Sequence, residues 1–443
     1  ASLLVDSGFS SALIQRKSPD QRDYSTVLWF NLAVATAIYI ILYFAAPLIA
    51  KCFKNDVLLI PLSRVMFLTF ILNASSIVQV NRLMKKMEMK MVAIANSLGL
   101  ALGSVVGIVM ALKGYGAWAI VWQSITLAGV KSLVLWTTQR WLPSAVFSFK
   151  ILKSYFNVGS RMMLTSFLNT VFMTIYSFFI GNRVGMVSLG YYTQSDKWSK
   201  MGIMSLSQVI TSSFLPALSA VQDDADRFHR VSGKMNRFTS YIVFPAFLGL
   251  IIMATPIFHA LFGTKWDPSI FLFQLLLIRG IFTIFIGYYN NVLLALAHVK
   301  TIMWMEILRD SIAVIAIIIT LPYMALTKPG DPVWGISILL YGQLLASAVT
   351  WLVTLIVMAR LTGRSLRRYI ADMLPYLMPS VVIMTLMKFA GEITANPWIE
   401  ILVETALGLG LYLGFGYLAR SVVQREVIAF LLGKFKTPQK DEH

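Results

Sequence analysis

The chain has 443 residues, of which 57% are hydrophobic and only 13% are charged, and its mean hydropathy is +0.72. Soluble proteins carry about 25% charged residues, so this composition excludes a soluble fold and indicates a polytopic membrane protein. The formal net charge of +18 would favour nucleic-acid binding in a soluble chain. Membrane proteins use basic loops to set their orientation, so nucleic acid is not expected as a partner.

Long apolar segments follow one another along the sequence with short connections. A spanning helix needs about 20 mainly apolar residues, and the alternating strand pattern of a membrane β-barrel is missing, so the predicted fold class is all-α. The first residues, "ASLLVDSGFSSALIQRK", are typical of the end of another span, and we expect the sequence to be a fragment. Complete spans are predicted at residues 26–50, 57–80, 91–112, 116–138, 153–181, 188–220, 238–262, 269–297, 301–323, 334–359, 370–389 and 398–419.

Basic residues are distributed unequally between the two sides of the predicted bundle. Alternating the loops from the one that contains "QRKSPDQRD" places 24 Lys and Arg residues on one side and seven on the other. Because cytoplasmic loops carry the excess of basic residues, the richer side, which includes the C-terminus, is predicted to be cytoplasmic. The tail segment "REVIAFLLGKFK" predicts an amphipathic helix that lies on the anionic cytoplasmic leaflet.

Two parts of the chain resemble each other weakly. Residues 8–53 and 212–262 both contain the end of a span, a polar loop, a span and a Pro near its outer end, and the next spans carry Arg64 and Arg279. The two segments are offset by an even number of predicted spans, so both have the same orientation in the membrane. This predicts parallel repeats. The predicted domains are an incomplete N-lobe at 1–140, a C-lobe at 141–361, two additional helices at 362–422 and a cytoplasmic tail at 423–443.

Seven cations lie within predicted spans, where a charged group costs about 2.5–3.5 kcal/mol on insertion scales. Lys131 lies close enough to a helix end to reach the interface. Five others lie deeper and are expected to face a polar cavity, namely Arg161, Lys197, Lys200, Arg279 and Arg309. An excess of positive charge in such a cavity favours an anion, and phosphate or pyrophosphate suits Arg and Lys best. The predicted substrate-binding residues are Arg64, Arg161, Lys197, Lys200 and Arg279.

Acidic residues accompany some of these cations. Asp196 shares one third of its helix with Lys197 and Lys200, so we expect it to hold one lysine in place. Glu306, Arg309 and Asp310 are spaced i, i+3 and i+4, which favours a self-neutralising structural cluster and leaves a coupling-ion site as the alternative.

Groups that would support catalysis are not evident in the sequence. It has neither a Walker motif nor a Ser/His/Asp arrangement nor a large extracytoplasmic loop. The single cysteine, Cys52, excludes an intramolecular disulfide, and the four histidines have no metal-ligand spacing. We therefore expect no enzyme activity, no metal and no cofactor, and leave H⁺ or Na⁺ open as a coupling ion.

Three segments resemble a known family. The stretches "GFSSALIQRKSPDQRDYSTVLWFNLAV", "PLIAKCF" and "LGYYTQSDKWSKM" are similar to polysaccharide-repeat flippases of the multidrug/oligosaccharidyl-lipid/polysaccharide (MOP) superfamily, in the O-antigen and colanic-acid branch of lipopolysaccharide biosynthesis proteins. The resemblance implies a V-shaped pair of six-helix lobes around a cationic cavity, followed by two helices. The first helix and most of the second would be missing from this sequence. The motif "SDKWSKM" matches the family's charged eighth helix.

The resemblance also implies a function. The substrate would be an oligosaccharide repeat unit on undecaprenyl pyrophosphate, flipped across the bacterial inner membrane for lipopolysaccharide, capsule or exopolysaccharide assembly. Membrane lipids, a polysaccharide polymerase and chain-length regulators would be the other partners. The alternatives are a flippase for the peptidoglycan precursor, a multidrug antiporter of the same superfamily and, less favoured, a membrane polysaccharide polymerase or ligase.

Overall fold

A computed structural model of the protein describes residues 19–52, 57–86, 88–139, 141–153, 174–325, 333–391 and 396–431. Throughout these ranges helix is the only regular secondary structure, which confirms the predicted all-α class. The chain divides between Phe178 and Phe179 into two compact units, which are described separately below. The predicted domain limits, including the boundary between residues 140 and 141, stay predictions.

Five helices of the first unit have both ends in its described part, and the predicted span 57–80 is divided between two of them. The break falls at Phe67, whose backbone N–H still donates to the Ser63 carbonyl at 2.9 Å. The helices are α1 (Gln21–Cys52), α2 (Leu59–Met66), α3 (Leu68–Lys85), α4 (Met89–Leu112) and α5 (Trp118–Gln139).

Helices α4 and α5 form an antiparallel hairpin with very close packing. Gly99, Gly103 and Gly107 recur every four residues on one face of α4. A Cβ atom at Gly99 would lie 2.8 Å from the Leu127 carbonyl oxygen, and one at Gly103 would lie 2.9 Å from the Gln123 carbonyl oxygen. The two backbones are therefore in direct contact, as in small-residue interfaces of membrane helices.

The second unit is built around the helix Asp267–Ala295. This helix packs against the helices Met186–Ser219, Ala225–Ile252 and Trp334–Thr362. The core of this unit contains the fully buried rings of Phe285, Tyr288 and Tyr289, and the Tyr288 hydroxyl donates to the Ser232 carbonyl at 2.5 Å. The helices are α6 (Met186–Ser219), α7 (Ala225–Ile252), α8 (Ala254–Phe262), α9 (Asp267–Ala295), α10 (Val299–Thr320), α11 (Trp334–Thr362), α12 (Leu366–Gly391), α13 (Pro397–Leu418) and α14 (Val422–Leu431).

Nine helical segments in the described ranges are long and apolar enough to cross a membrane. The predicted spans 188–220 and 301–323 are the continuous helices α6 and α10, which carry the charged clusters and are not among the nine. Most of the predicted span 153–181 lies outside the described residues, although residues 174–183 are helical. The nine are Gln21–Lys51, Leu59–Lys85, Lys90–Leu112, Trp118–Gln139, Ala225–Ile252, Thr264–Ala295, Trp334–Thr362, Leu366–Gly391 and Pro397–Leu418.

Candidate functional site

The charged residues of α6 lie beside its contact with α9. Ser195 is buried in that contact and donates from Oγ to the Ser269 carbonyl at 2.7 Å. Asp196 follows directly in the sequence, and its Oδ2 lies 2.6 Å from Lys200 Nζ. The Asp196 side chain is 15% exposed and that of Lys200 is 35% exposed. The i, i+4 spacing thus forms the carboxylate–lysine pair that the sequence predicts.

Lys197 is exposed and differs from Lys200 in its contacts. It forms no ion pair with any residue in the described ranges. Of the two predicted substrate-binding lysines on α6, one is therefore neutralised by Asp196, and the other has no countercharge in the described part of the chain.

Arg279 lies in the middle of α9 and contacts α11. Its Nη1 donates to Oε1 of Gln343, an amide that is 3% exposed. A neutral amide orients the guanidinium without cancelling its charge, so Arg279 remains cationic within a helix long and apolar enough to span a membrane. Its partner was not evident from the sequence, because Gln343 is 64 positions away.

Helices α6 and α9 run in the same direction, which brings Arg279 to the level of Lys200. Ser195 contacts Ser269 near one end, and Asn291 donates to Thr211 at 3.2 Å near the other. Between them, a Cβ atom at Gly280 would lie 2.6 Å from the Ile203 side chain. Arg279 and Lys200 are therefore placed within about one helical turn, or 5.4 Å, along the two axes.

The acidic residues of α10 surround Arg309. Its Nη2 lies 2.5 Å from Glu306 Oε2 and 3.0 Å from Asp310 Oδ1. Asn290 of α9 donates to the other Glu306 oxygen at 3.3 Å. The geometry is that of a pre-paired cluster with a net charge of −1, linked to α9 by one amide.

The two remaining predicted residues, Arg64 and Arg161, belong to the first unit of the chain. Arg64 lies in α2 of the first unit, where its Nε donates to the Tyr43 carbonyl at 3.3 Å and its guanidinium lies 4.3 Å from the Tyr43 ring centroid. Its environment differs from that of Arg279, its counterpart in the sequence repeat. Arg161 lies outside the described residues.

A second charged cluster was missed in the sequence, where its cations counted only as loop charges that set orientation. The Asp372 carboxylate accepts from Arg237 at 2.9 Å and from Arg364 at 2.6 Å, which joins the beginning of α12 to α7. The available signal was Asp372 itself, the single acid in a mainly apolar predicted span, eight positions after Arg364.

Several curated proteins are similar to this chain in sequence. Teichuronic acid biosynthesis protein TuaB of Bacillus subtilis (strain 168) is 23% identical over 67% of this chain and 61% of its own length, so the chain spans less than two thirds of that relative. Succinoglycan biosynthesis transport protein ExoT of Rhizobium meliloti (strain 1021) is 22% identical over 93% of this chain and 82% of its own. Lipopolysaccharide biosynthesis protein WzxC of Escherichia coli (strain K12) is 23% identical over 86% and 77%.

Solved structures share the fold. Lipid II flippase MurJ, in an inward closed conformation, aligns with a TM-score of 0.72 over 96% of this chain and 90% of its own, at 15% identity. An inward-facing multidrug resistance MATE family transporter of the MOP superfamily aligns with a TM-score of 0.59 over 82% and 88%, at 16% identity. The sequence profile of a family described as "Polysaccharide biosynthesis protein" matches residues 1–271, more than half of the chain. The protein therefore belongs to this family of polysaccharide biosynthesis proteins and has the helical membrane fold of the MOP superfamily.

Proposed function

We propose that the protein flips an undecaprenyl-pyrophosphate-linked oligosaccharide repeat unit across the bacterial inner membrane, by alternating access around a cationic cavity. The observation that carries the proposal is the incomplete neutralisation of the cations on α6 and α9. Lys197 has no ion pair among the described residues, and Arg279 bonds to a neutral amide. Arg279 is half-buried, where a cation without a countercharge is costly, and Lys197 is exposed on the neighbouring helix. A pyrophosphate would supply the negative charge that both cations attract.

In this mechanism the residues have separate tasks. Arg279 and Lys197 attract the pyrophosphate, and Arg161 and Arg64 complete the anion-binding surface. Asp196 holds Lys200 in an ion pair along α6, and the pyrophosphate of the ligand competes with Asp196 for this lysine. Rocking of one lobe against the other then exposes the head group on the opposite side while the lipid tail stays in the bilayer.

We assign Glu306, Arg309 and Asp310 a structural task in this proposal. Arg309 donates to both carboxylates, and Asn290 occupies a further oxygen of Glu306. These contacts favour a fixed link between α10 and α9 over a coupling-ion site.

The names of the relatives support the choice of substrate. They belong to teichuronic acid, succinoglycan and lipopolysaccharide biosynthesis, three pathways with polysaccharide products. A flippase for the peptidoglycan precursor is the second candidate, since the flippase MurJ shares the fold. An antiporter for cationic drugs is less favoured, because the lysines and Arg279 would repel its substrate.

The test is substitution of Arg161, Lys197, Lys200 and Arg279, one at a time, by Ala and by the other basic residue. Polysaccharide export is measured in cells that depend on this chain, with protein levels followed in the membrane fraction. Export should fall sharply with Ala and partly survive the Lys–Arg exchange, because the charge is kept. Lys388→Ala, at an exposed lysine in the last turn of α12, is the matched control and should export normally. Normal export by all four alanine variants would refute the cationic-cavity mechanism.

A further inference from the structure

A basic cavity of about 640 Å³ lies in the second unit, between the first halves of α7 and α12 and the beginning of α14. It is separate from the residues of the proposed substrate site, which are on α6 and in the middle of α9. We call it the basic cavity. Its lining includes His229 and the charged residues Arg230, Lys234, Arg237, Arg364, Arg368 and Glu426.

The cavity is built by helical spacing and by one glycine. Arg230 and Lys234 are i, i+4 neighbours on α7, and Arg364 and Arg368 have the same spacing at the beginning of α12. Gly233 lies beneath Arg364, where a Cβ atom would come within 2.6 Å of its Nη2. The absence of that atom lets the guanidinium lie flat against α7.

Arg364 is held firmly but is not fully satisfied. Its side chain is 11% exposed, its Nη2 bonds to Asp372, and its guanidinium lies 4.5 Å from the Tyr369 ring centroid. Its Nη1 is buried without a hydrogen-bond partner among the described residues. Such a donor on a buried cation indicates a place for an acceptor that is not part of this region of the protein.

The charges around the cavity do not balance. Five Arg and Lys residues line it, while the described carboxylates that pair with them are Asp372, shared by Arg237 and Arg364, and Glu426, which lies 2.9 Å from Lys234 Nζ. Arg230 and Arg368 are exposed and form no ion pair within the described part of the chain. Three positive charges are left over, which favours an anion with several acceptor oxygens, and phosphate matches guanidinium groups best.

The surroundings of the cavity favour a lipid as the source of the phosphate. A second cavity of about 490 Å³ shares Tyr376 and Val422 with it, and a third of about 510 Å³ shares Met378 and Phe415 with the second. The third is lined only by apolar residues and glycine of α12 and α13, both candidate membrane spans. A basic surface and then an apolar surface therefore follow one another along α12. These two surfaces are complementary to the charged head and the apolar tail of a lipid.

We propose that the basic cavity binds the phosphate head group of an anionic membrane phospholipid, with an acyl chain along the groove between α12 and α13. The lipid completes the charge balance at the junction of α7, α12 and α14. This assignment does not depend on the transported substrate.

The test uses the full chain purified in a neutral detergent, and thermal unfolding measured against added phosphatidylglycerol, phosphatidylcholine or inorganic pyrophosphate. Phosphatidylglycerol should raise the Tm in a saturable way, and phosphatidylcholine should not. Any effect of pyrophosphate through the proposed substrate site should be the same in the unchanged protein and in the double variant described next, because that site is on α6 and α9. The double variant Arg230→Gln/Arg368→Gln should lower the apparent affinity for phosphatidylglycerol about 30-fold, because each basic side chain near an anionic head group contributes about fivefold. Arg367→Gln, an exposed neighbour outside the cavity lining, is the matched control and should behave as the unchanged protein.

A second variant tests the groove. Gly414 lines the third cavity, and a Cβ there would have no heavy atom within 4 Å, so Gly414→Leu fills the groove without a clash at its first carbon. It should weaken the phosphatidylglycerol effect and leave the unliganded Tm close to that of the unchanged protein. An equal response to phosphatidylcholine, an unchanged response to phosphatidylglycerol in the double arginine variant, or stabilisation by pyrophosphate that the double arginine variant loses would each overturn the proposal.

Discussion

Replacing Asp372 by Asn should destabilise the second unit far more than an ordinary surface substitution. The carboxylate accepts from Arg364 at 2.6 Å and from Arg237 at 2.9 Å, and its side chain is 13% exposed. Removal of one partner of a buried ion pair costs about 3–5 kcal/mol, because the other charge stays buried. Arg237 is 40% exposed and can turn to water, so the main cost comes from Arg364 and the lower figure of about 3 kcal/mol is expected.

The measurement is thermal unfolding in neutral detergent without added anionic lipid. A loss of about 3 kcal/mol corresponds to a Tm lower by on the order of 6–10 °C. Glu426→Gln is the matched control: it breaks a pair whose side chains are 53% and 33% exposed, and exposed pairs contribute about 0–1 kcal/mol. Adding Arg364→Met to Asp372→Asn should recover much of the loss, since no buried cation then lacks a partner. Equal effects of Asp372→Asn and Glu426→Gln would refute this reasoning.

Two further predictions concern packing and orientation. Gly335→Ala should destabilise the protein by about 3 kcal/mol or more, because the new Cβ would lie 1.9 Å from the Met324 carbonyl oxygen. Gly190→Ala on α6 is the control, since its Cβ would lie in open space, and it should be neutral or stabilising. The Tm values of the two variants are compared, and equal values would contradict the prediction. In a Cys52→Ser background, the cysteine of Asp223→Cys should resist membrane-impermeant thiol reagents in intact cells. The reason is that its loop is on the predicted cytoplasmic side, which carries 24 of the loop and tail cations. Rapid labelling would show that the predicted orientation is wrong.

Local spacing allowed parts of the site to be predicted from the sequence. The Asp196–Lys200 pair and the Arg309 cluster each join residues at most four positions apart on one helix. The 3.6-residue period of the helix places such side chains next to each other. The partner of Arg279 could not be predicted, because Gln343 is on a different helix and one amide among many gives no signal.

Other parts were missed for different physical reasons. The break at Phe67 has neither Pro nor Gly beside it, so no local propensity indicates it. The basic cavity could not be recognised in the sequence. Arg230 and Arg364 are the same two residues there whether their side chains point separately into water or towards one another. Only the tertiary contact through Gly233 and Asp372 makes them a site.

The close contact between α4 and α5 has a mechanical consequence. Where backbone meets backbone at Gly99 and Gly103, there is no layer of side chains that can change rotamer to let one helix slide past the other. The hairpin from Met89 to Gln139 must therefore move as a single stiff lever. Within the described part of the first unit, any bending is therefore left to α1, α2 and α3.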